Sequence, residues 1–150
     1  MTLPTFIRDD GGRAAAGFRG KAGDCVTRAV AIASGCPYRE VYQRLAHGTG
    51  TQRKSTRTGR RAKSARNGIN TTRKWFREYM NALGFRWVPT MQIGSGCKVH
   101  LTASELPAGR LVVMLSRHAC AVIDGVIHDT YDPSRDGTRC VYGYYILGVA

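Results

Sequence analysis

The sequence predicts an α+β domain, in which an N-terminal helical part packs on a C-terminal antiparallel β-sheet. Apolar residues recur at helical spacing in the first half of the chain, and from Arg110 onward they follow the shorter period of β-strands. The length of 150 residues suits one domain with its own core. We therefore expect a single domain over residues 1–150.

The first helix should carry a cysteine at its start. In the stretch AGDCVTRAVAIASG, residues 22–35, Asp24 is a capping residue and Gly35 is a C-terminal stop. The small alanines between them let other elements approach on several sides, which is typical of a central helix. Cys25 then lies in the first turn, where the helix dipole favours a thiolate.

Two amphipathic helices should follow. One begins after Pro37 and ends near Gly48, and the other runs from a Thr71 cap to a stop at Gly84. Each places its large apolar side chains on one face, so both should cover the core. A short turn is expected at Thr102, where the sequence TASE has the form of a capping box.

The second half contains four segments with strand character. Two of them flank the dipeptide Asp124-Gly125, which is the strongest short signal for a two-residue hairpin turn. The segments are residues 111–115, 118–123, 126–132 and 140–147. We expect them to form an antiparallel meander.

The hairpin turn also predicts a register. It pairs Ile123 with Val126, which makes Asp129 the diagonal cross-strand neighbour of His118. Asp132 should point to the other face. The Asp129 carboxylate is therefore expected within reach of the His118 ring.

Cys25, His118 and Asp129 match three roles in nucleophilic catalysis: a thiol, a histidine that activates it and a carboxylate that orients the imidazole. Their order, with the thiol on an N-terminal helix and the other two on adjacent antiparallel strands, resembles the papain-like cysteine peptidase superfamily. The closest likeness is to small variants among bacteriocin-processing peptidases and phage or plasmid proteins. The resemblance covers residues 23–35 and 116–133.

The resemblance implies a papain-like cysteine hydrolase, either a peptidase, an amidase or an acyl transferase, that works through a thioester. Cys25 would be the nucleophile, His118 the general base and Asp129 the orienting group. The substrate would be a peptide or protein, and neither a cofactor nor a metal is expected.

The same resemblance implies an oxyanion hole made by the backbone N–H of Cys25 and a second donor. In this superfamily the second donor is commonly a glutamine shortly upstream of the cysteine. This chain has none there, and the positions upstream offer Arg19 and Lys21 instead. A missing donor would cost about 2.7–4 kcal/mol of transition-state stabilisation.

The five cysteines leave other interpretations open. Their odd number and the absence of a CxxC pair argue against a disulfide framework, and predict at least one free thiol. Cys25 could be inert core, as small buried cysteines usually are. Cys97 and His100 could form a zinc site with His118 and Cys120, but CxxH and HxC are unusual spacings.

A second feature is a local excess of positive charge. Between Glu40 and Glu78 there is no acidic residue, and this interval holds eleven of the 23 Lys and Arg. Its centre, residues 53–66, lacks aromatic and large apolar residues, which is typical of a flexible exposed loop at about 50–68. We call this centre the basic segment; its cations are Arg53, Lys54, Arg57, Arg60, Arg61, Lys63 and Arg66.

The basic segment has two interpretations. It is either a solvated loop or a contact for nucleic acid or another acidic partner, with an affinity that falls as salt rises. The second interpretation gives an alternative function: a papain-like binding protein with weak or no catalysis. The absence of aromatic residues argues against sequence-specific recognition of single strands.

The chain shows no sign of membrane association. It has no run of about eighteen apolar residues, and its first thirteen residues contain acids where a signal peptide has an apolar core. We therefore expect a cytoplasmic protein without a membrane partner. By the resemblance to phage proteins, the cytoplasm could be that of an infected bacterial host.

Overall fold

The computed structural model describes residues 5–19, 23–51, 69–92 and 94–148. Within these ranges the chain forms three α-helices and one six-stranded mixed sheet, so the α+β class is confirmed. The elements are β1 (Thr5–Arg8), α1 (Cys25–Ser34), α2 (Tyr38–Gly50), α3 (Lys74–Ala82), β2 (Phe85–Pro89), β3 (Arg110–Leu115), β4 (His118–Ile123), β5 (Val126–Asp129) and β6 (Gly143–Leu147).

The sheet has the order β1-β5-β4-β3-β6-β2. The consecutive strands β3, β4 and β5 form three strands of the predicted antiparallel meander. The fourth is wrong in its place and start, since β6 begins at Gly143 and pairs with the other side of β3. β2 adds to β6 in antiparallel fashion and β1 adds to β5 in parallel. The expectation of a purely antiparallel sheet is therefore wrong for the pair β1 and β5.

The two edge strands β1 and β2 are absent from the sequence prediction. Most of their residues are exposed, and only Phe85 is buried. An edge strand has one neighbour and few buried side chains, so it leaves little alternation in the sequence. Their pairing partners lie far away along the chain, and periodicity carries no information about such partners.

The hairpin register is confirmed. Asp124 and Gly125 have φ angles of 48° and 80°, as a type I′ turn requires, and Ile123 pairs with Val126. β4 has the predicted bounds, but β5 ends at Asp129, three residues before the predicted end.

The central helix α1 also matches its prediction. Gly35 has a φ of 78° and its N–H bonds to the Ala31 carbonyl at 3.0 Å, which ends the helix. Every residue from Val26 to Ala33 is buried.

The other two helices differ from prediction at one end each. α2 continues past Gly48 to Gly50, so Gly48 is not a helix stop. It is a site of close packing instead, since a Cβ there would lie 2.2 Å from the Trp75 ring. α3 starts at Lys74 and not after Thr71, since residues 71–73 form a turn in which the Asn70 side chain accepts the Thr72 N–H at 3.1 Å.

Apolar side chains form one cluster on each face of the sheet. The helix-side cluster joins the helices to alternate sheet residues, among them Val112, Met114, Ala119, Ala121 and Tyr145. The far-side cluster contains the residues between them, including Leu111, Val113, Cys120, Val122 and Ile127, with Leu101 and Leu106. α1 therefore lies on the face of β4 opposite to Cys120.

One disulfide bond joins Cys97 to Cys140, with their Cα atoms 5.8 Å apart. The cysteine count argues against a disulfide framework, and it gives no indication of this single bond. The bond follows from the β-bridge between His100 and Cys140, a long-range pairing on which cysteine spacing carries no information. Cys25, Cys36 and Cys120 are free, so the expectation of at least one free thiol is confirmed.

Within the described ranges, every helix is too short or too polar to cross a bilayer.

Candidate active site

Three elements bring Cys25, His118 and Asp129 together. Cys25 is the first residue of α1, His118 is the first residue of β4, and Asp129 is the last residue of β5. His118 and Asp129 are terminal residues of their strands, where pairing on one side only fixes the direction of the side chain less strictly than in the strand interior. Both side chains therefore reach the first turns of α1, although the interior of β4 presents Cys120 to the far-side cluster.

The contact expected between His118 and Asp129 is present. His118 Nε2 lies 2.6 Å from Asp129 Oδ2, and both side chains are less than a tenth exposed. Asp129 also accepts the N–H of Thr130 through Oδ1 at 2.7 Å. Because Nε2 is engaged by the carboxylate, Nδ1 is the ring nitrogen left for a second partner.

That second partner is Cys25. The thiol and the His118 ring interact, and their pKa values move in opposite directions. Burial opposes both shifts, but the hydrogen bond and charge of His118 lower the pKa of the Cys25 thiol. The hydrogen bonds to Asp129 and Cys25 raise the pKa of His118 to about 9. The pair therefore favours thiolate beside imidazolium more than an isolated cysteine and histidine would.

Two further groups favour the thiolate. The backbone amide of Ala119 and the charge of the Arg28 guanidinium both lower the pKa of the Cys25 thiol. Cys25 also lies at the N-terminus of α1, where the positive end of the helix dipole stabilises a thiolate. A backbone donor leaves no mark in a sequence, so the Ala119 amide could not be predicted.

A buried ion network lies behind the site. Arg28 bonds to the Asp24 carboxylate through Nη1, and its Nη2 lies 3.3 Å from Asp129 Oδ1. Asp24 also accepts the Tyr38 hydroxyl at 2.6 Å and lies 3.5 Å from Arg13 Nε. Asp24, Arg28 and Asp129 are all buried.

This network corrects the role expected for Asp24. It occupies the N-cap position of α1, but its side chain makes no capping hydrogen bond and instead holds Arg28. The signal was in the sequence, because Asp24 and Arg28 are four residues apart on one helix and so can pair. The bond from Arg28 to Asp129 had no such signal, since the two residues are far apart in the chain.

The neighbouring acid, Asp132, lies away from the site. It is exposed, and its Oδ1 accepts the Ser134 N–H at 2.9 Å. Tyr131 packs against the His118 ring at 5.2 Å between centroids, with half of its own surface exposed. It thus covers the imidazole from the solvent side.

A cleft of about 570 Å³ opens at the thiol. Cys25, His118 and Ala119 contribute to its lining, together with the aromatic side chains of Trp87, Tyr142 and Tyr145. Arg77 and Arg117 also line it. An activated thiol at the edge of an apolar cleft is suited to attack on the carbonyl of a bound substrate.

The expected oxyanion donors have different outcomes. Cys25 is the first residue of α1, so its backbone N–H has no acceptor within the helix. Arg19 is exposed, and its carbonyl accepts a hydrogen bond from Arg13 at 3.0 Å. Lys21 lies outside the described residues, as do all the cations of the basic segment.

The zinc alternative finds no support. Cys97 is in the disulfide, Cys120 is in the far-side cluster, and His100 lies 3.1 Å from Glu105. Among the described residues no three His, Cys, Asp or Glu side chains converge on a point where a metal could bind.

Comparison of the chain with protein-family models, curated proteins and solved structures found no match.

Proposed function

We propose that this protein is a cysteine-dependent hydrolase of peptide, isopeptide or amide bonds, with a papain-like order of Cys25, His118 and Asp129. One observation carries the proposal: the His118 ring bonds to Asp129 through Nε2 and interacts with the Cys25 thiol, which lines the cleft. The alternative, that Cys25 is an inert core cysteine, does not explain its interactions with the His118 imidazole and the Ala119 amide.

The geometry supports the first chemical step. The Cys25 thiolate attacks the substrate carbonyl carbon, a C–S bond forms, and negative charge moves to the carbonyl oxygen. As the C=O bond re-forms, the C–N bond breaks and the His118 imidazolium donates its proton to the leaving nitrogen. The products are an amine and a thioester on Cys25.

Hydrolysis of the thioester reverses the proton transfer. Neutral His118 removes a proton from water as the oxygen attacks the thioester carbon, and the C–S bond breaks. A carboxylic acid leaves, and the thiolate and imidazolium are restored. An amine in place of water would make the same site an acyl transferase.

Asp129 keeps the imidazole in position through both steps. Its hydrogen bond to Nε2 leaves Nδ1 as the ring nitrogen available to the thiol, and its charge stabilises the imidazolium. The backbone N–H of Cys25, at the positive end of α1, supplies one donor for the oxyanion.

Brief alkylation with iodoacetamide at pH 6, followed by peptide mapping, tests the proposal directly. We expect the label mainly on Cys25, because its thiolate is favoured, with much less on Cys36, the other partly exposed free thiol. The His118→Ala variant should lose this selectivity. Equal labelling of Cys25 and Cys36 in the unmodified protein would refute an activated nucleophile.

The alternative function, a binding protein with weak or no catalysis, depends on the charge distribution. Nearly half of the Lys and Arg fall in an interval without any acid, which favours contact with nucleic acid or an acidic partner. The two functions are separable by experiment, since one depends on Cys25 and the other on the basic segment.

A further inference from the structure

We infer that the cleft selects a peptide segment in which a large apolar side chain lies next to an aspartate or glutamate. This inference rests on the proposed hydrolase function and adds the class of substrate. It depends on two features of the cleft lining. One is an aromatic wall formed by Trp87, Tyr142 and Tyr145, and the other is a pair of arginines, Arg77 and Arg117, without an ion-pair partner in the described part of the chain.

The aromatic wall is shaped by close packing. The Trp87 ring packs against Tyr145 at 4.9 Å between centroids, and a Cβ on Gly143 would lie 2.3 Å from the Trp87 ring. Only glycine at 143 allows the indole to lie there. Trp87 and Tyr142 nevertheless remain 40% exposed, a large apolar surface next to the thiol. Such a surface gains free energy when a large apolar side chain covers it.

Two cations border this apolar surface. Arg117 directly precedes His118 in the turn between β3 and β4. Arg77 lies on α3, close to Tyr145: burial raises the pKa of the Tyr145 hydroxyl, and the charge of Arg77 opposes that rise. All ten acidic residues of the chain are among those the structure describes. None of the ten lines the cleft, and none forms an ion pair with Arg77 or Arg117 in the described part.

Several other arginines in the fold have partners. Arg13 and Arg28 pair with Asp24, Arg110 donates to the carbonyl of Ala33 at 2.8 Å, and Arg139 donates to that of Ser116 at 2.7 Å. Among the described residues neither Arg77 nor Arg117 has such a partner, so their donors are available for a ligand. A carboxylate is the group that a guanidinium binds best, through two parallel hydrogen bonds.

The conformation of Arg117 provides a clean test. Its φ is 56°, in the left-handed region that costs an arginine free energy and a glycine almost none. Arg117→Gly therefore removes the cation while it relieves the backbone. Arg135 offers a matched control, because it is exposed, has a φ of 53° and does not line the cleft.

The experiment measures binding to the Cys25→Ala variant, which cannot turn over. Two rhodamine-labelled peptides with blocked ends, Gly-Gly-Glu-Leu-Gly-Gly and Gly-Gly-Gln-Leu-Gly-Gly, are compared by fluorescence anisotropy. We expect the Glu peptide to bind about tenfold more tightly, as charge-assisted hydrogen bonds predict. Adding Arg77→Gln and Arg117→Gly should bring the ratio close to one, whereas Arg135→Gly should leave it unchanged.

A third peptide, with Gly in place of Leu, should bind more weakly than the Glu-Leu peptide. Equal affinity of the Glu and Gln peptides, or a preference that survives both cleft substitutions, would overturn the inference. So would a ten-residue oligouridylate that displaces the Glu peptide at the same concentration, since the cleft would then bind polyanions in general. Alkylation of Cys25 is independent of these outcomes, so failure of the inference is distinguishable from failure of the hydrolase proposal.

Discussion

Cys25 and Cys120 lie in the same helix and hairpin unit, and their surroundings push their chemistry in opposite directions. Cys25 begins α1 and interacts with His118, which lowers the pKa of its thiol. Cys120 lies in the far-side cluster, where burial raises the pKa of its thiol and the nearby Asp129 charge adds to the rise. In the sequence Cys120 is two residues from His118, yet the distant cysteine receives the imidazole. Reactivity here is decided by how the start of α1 lies against the end of β4, and not by proximity along the chain.

The two thiols should differ most in the loss of hydrolysis when each cysteine is replaced by alanine. Cys25→Ala should reduce hydrolysis of any peptide that the parent cleaves by about 10⁶-fold, since the nucleophile is gone. Cys120→Ala should keep kcat/KM within a few-fold and lower the free energy of unfolding by about 1 kcal/mol, because it removes only a buried sulfur. Steady-state kinetics and urea denaturation measure the two effects. Turnover that persists without Cys25 but fails without Cys120 would reverse the comparison.

A second pair of substitutions separates two acids near the end of β5. Asp129→Asn should lower turnover by about 10²–10⁴-fold and slow alkylation of Cys25 at pH 6, because the imidazolium loses its charged partner. Asp132→Asn should change both by less than twofold, since Asp132 is exposed and bonds only within its own turn.

Asp129 also pairs with Arg28, so Asp129→Asn could lower turnover by destabilising the fold. The melting temperature of each variant is the control for this effect. If Asp132→Asn has the larger effect on turnover, the carboxylate has been assigned wrongly.

The pH profile sharpens the difference between the thiols further. Hydrolysis needs the Cys25 thiolate, present above its lowered pKa, and the His118 imidazolium, present below about pH 9. We expect kcat/KM to be bell-shaped, with its alkaline limb near pH 9. Asp129→Asn should move that limb to lower pH, because the carboxylate raises the pKa of His118. An alkaline limb that does not move would show that another group titrates there.

The same raised pKa has a consequence for stability. Its contribution to the free energy of unfolding is fully present below the unfolded value of about 6.5, and is lost as pH rises through about 9.

The basic segment should affect neither thiol. Replacing Arg57, Arg60, Arg61 and Lys63 with Gln should leave alkylation of Cys25 unchanged and the melting temperature within a few degrees, because the segment's sequence offers no large apolar side chain to a core. If the segment contacts phosphate, binding to duplex DNA or RNA should weaken almost equally for all sequences and depend less on salt. Binding that is unaffected at low salt would leave the segment as a solvated loop.

Much of the candidate site was predictable, because its parts depend on local rules. Asp124-Gly125 is suited to a type I′ turn, and that turn alone brings Asp129 to His118. The interval from Asp24 to Gly35 contains both ends of α1. The Arg28 link to Asp129 and the Ala119 amide were not predictable, since each depends on how α1 lies against the strand ends.

The sequence by itself determined the bounds of α1, the register of the β4 and β5 hairpin, and the choice of a histidine and an acid that meet across it. These follow from periodicity, glycine conformation and turn geometry, which act over a few residues. Tertiary structure decided which cysteine meets His118, where the edge strands β1 and β2 pair, that Cys97 bonds to Cys140, and that Trp87, Arg77 and Arg117 share one cleft. Each of these joins segments far apart in the chain, and only the packing of α1 and the sheet around a common core brings such segments together.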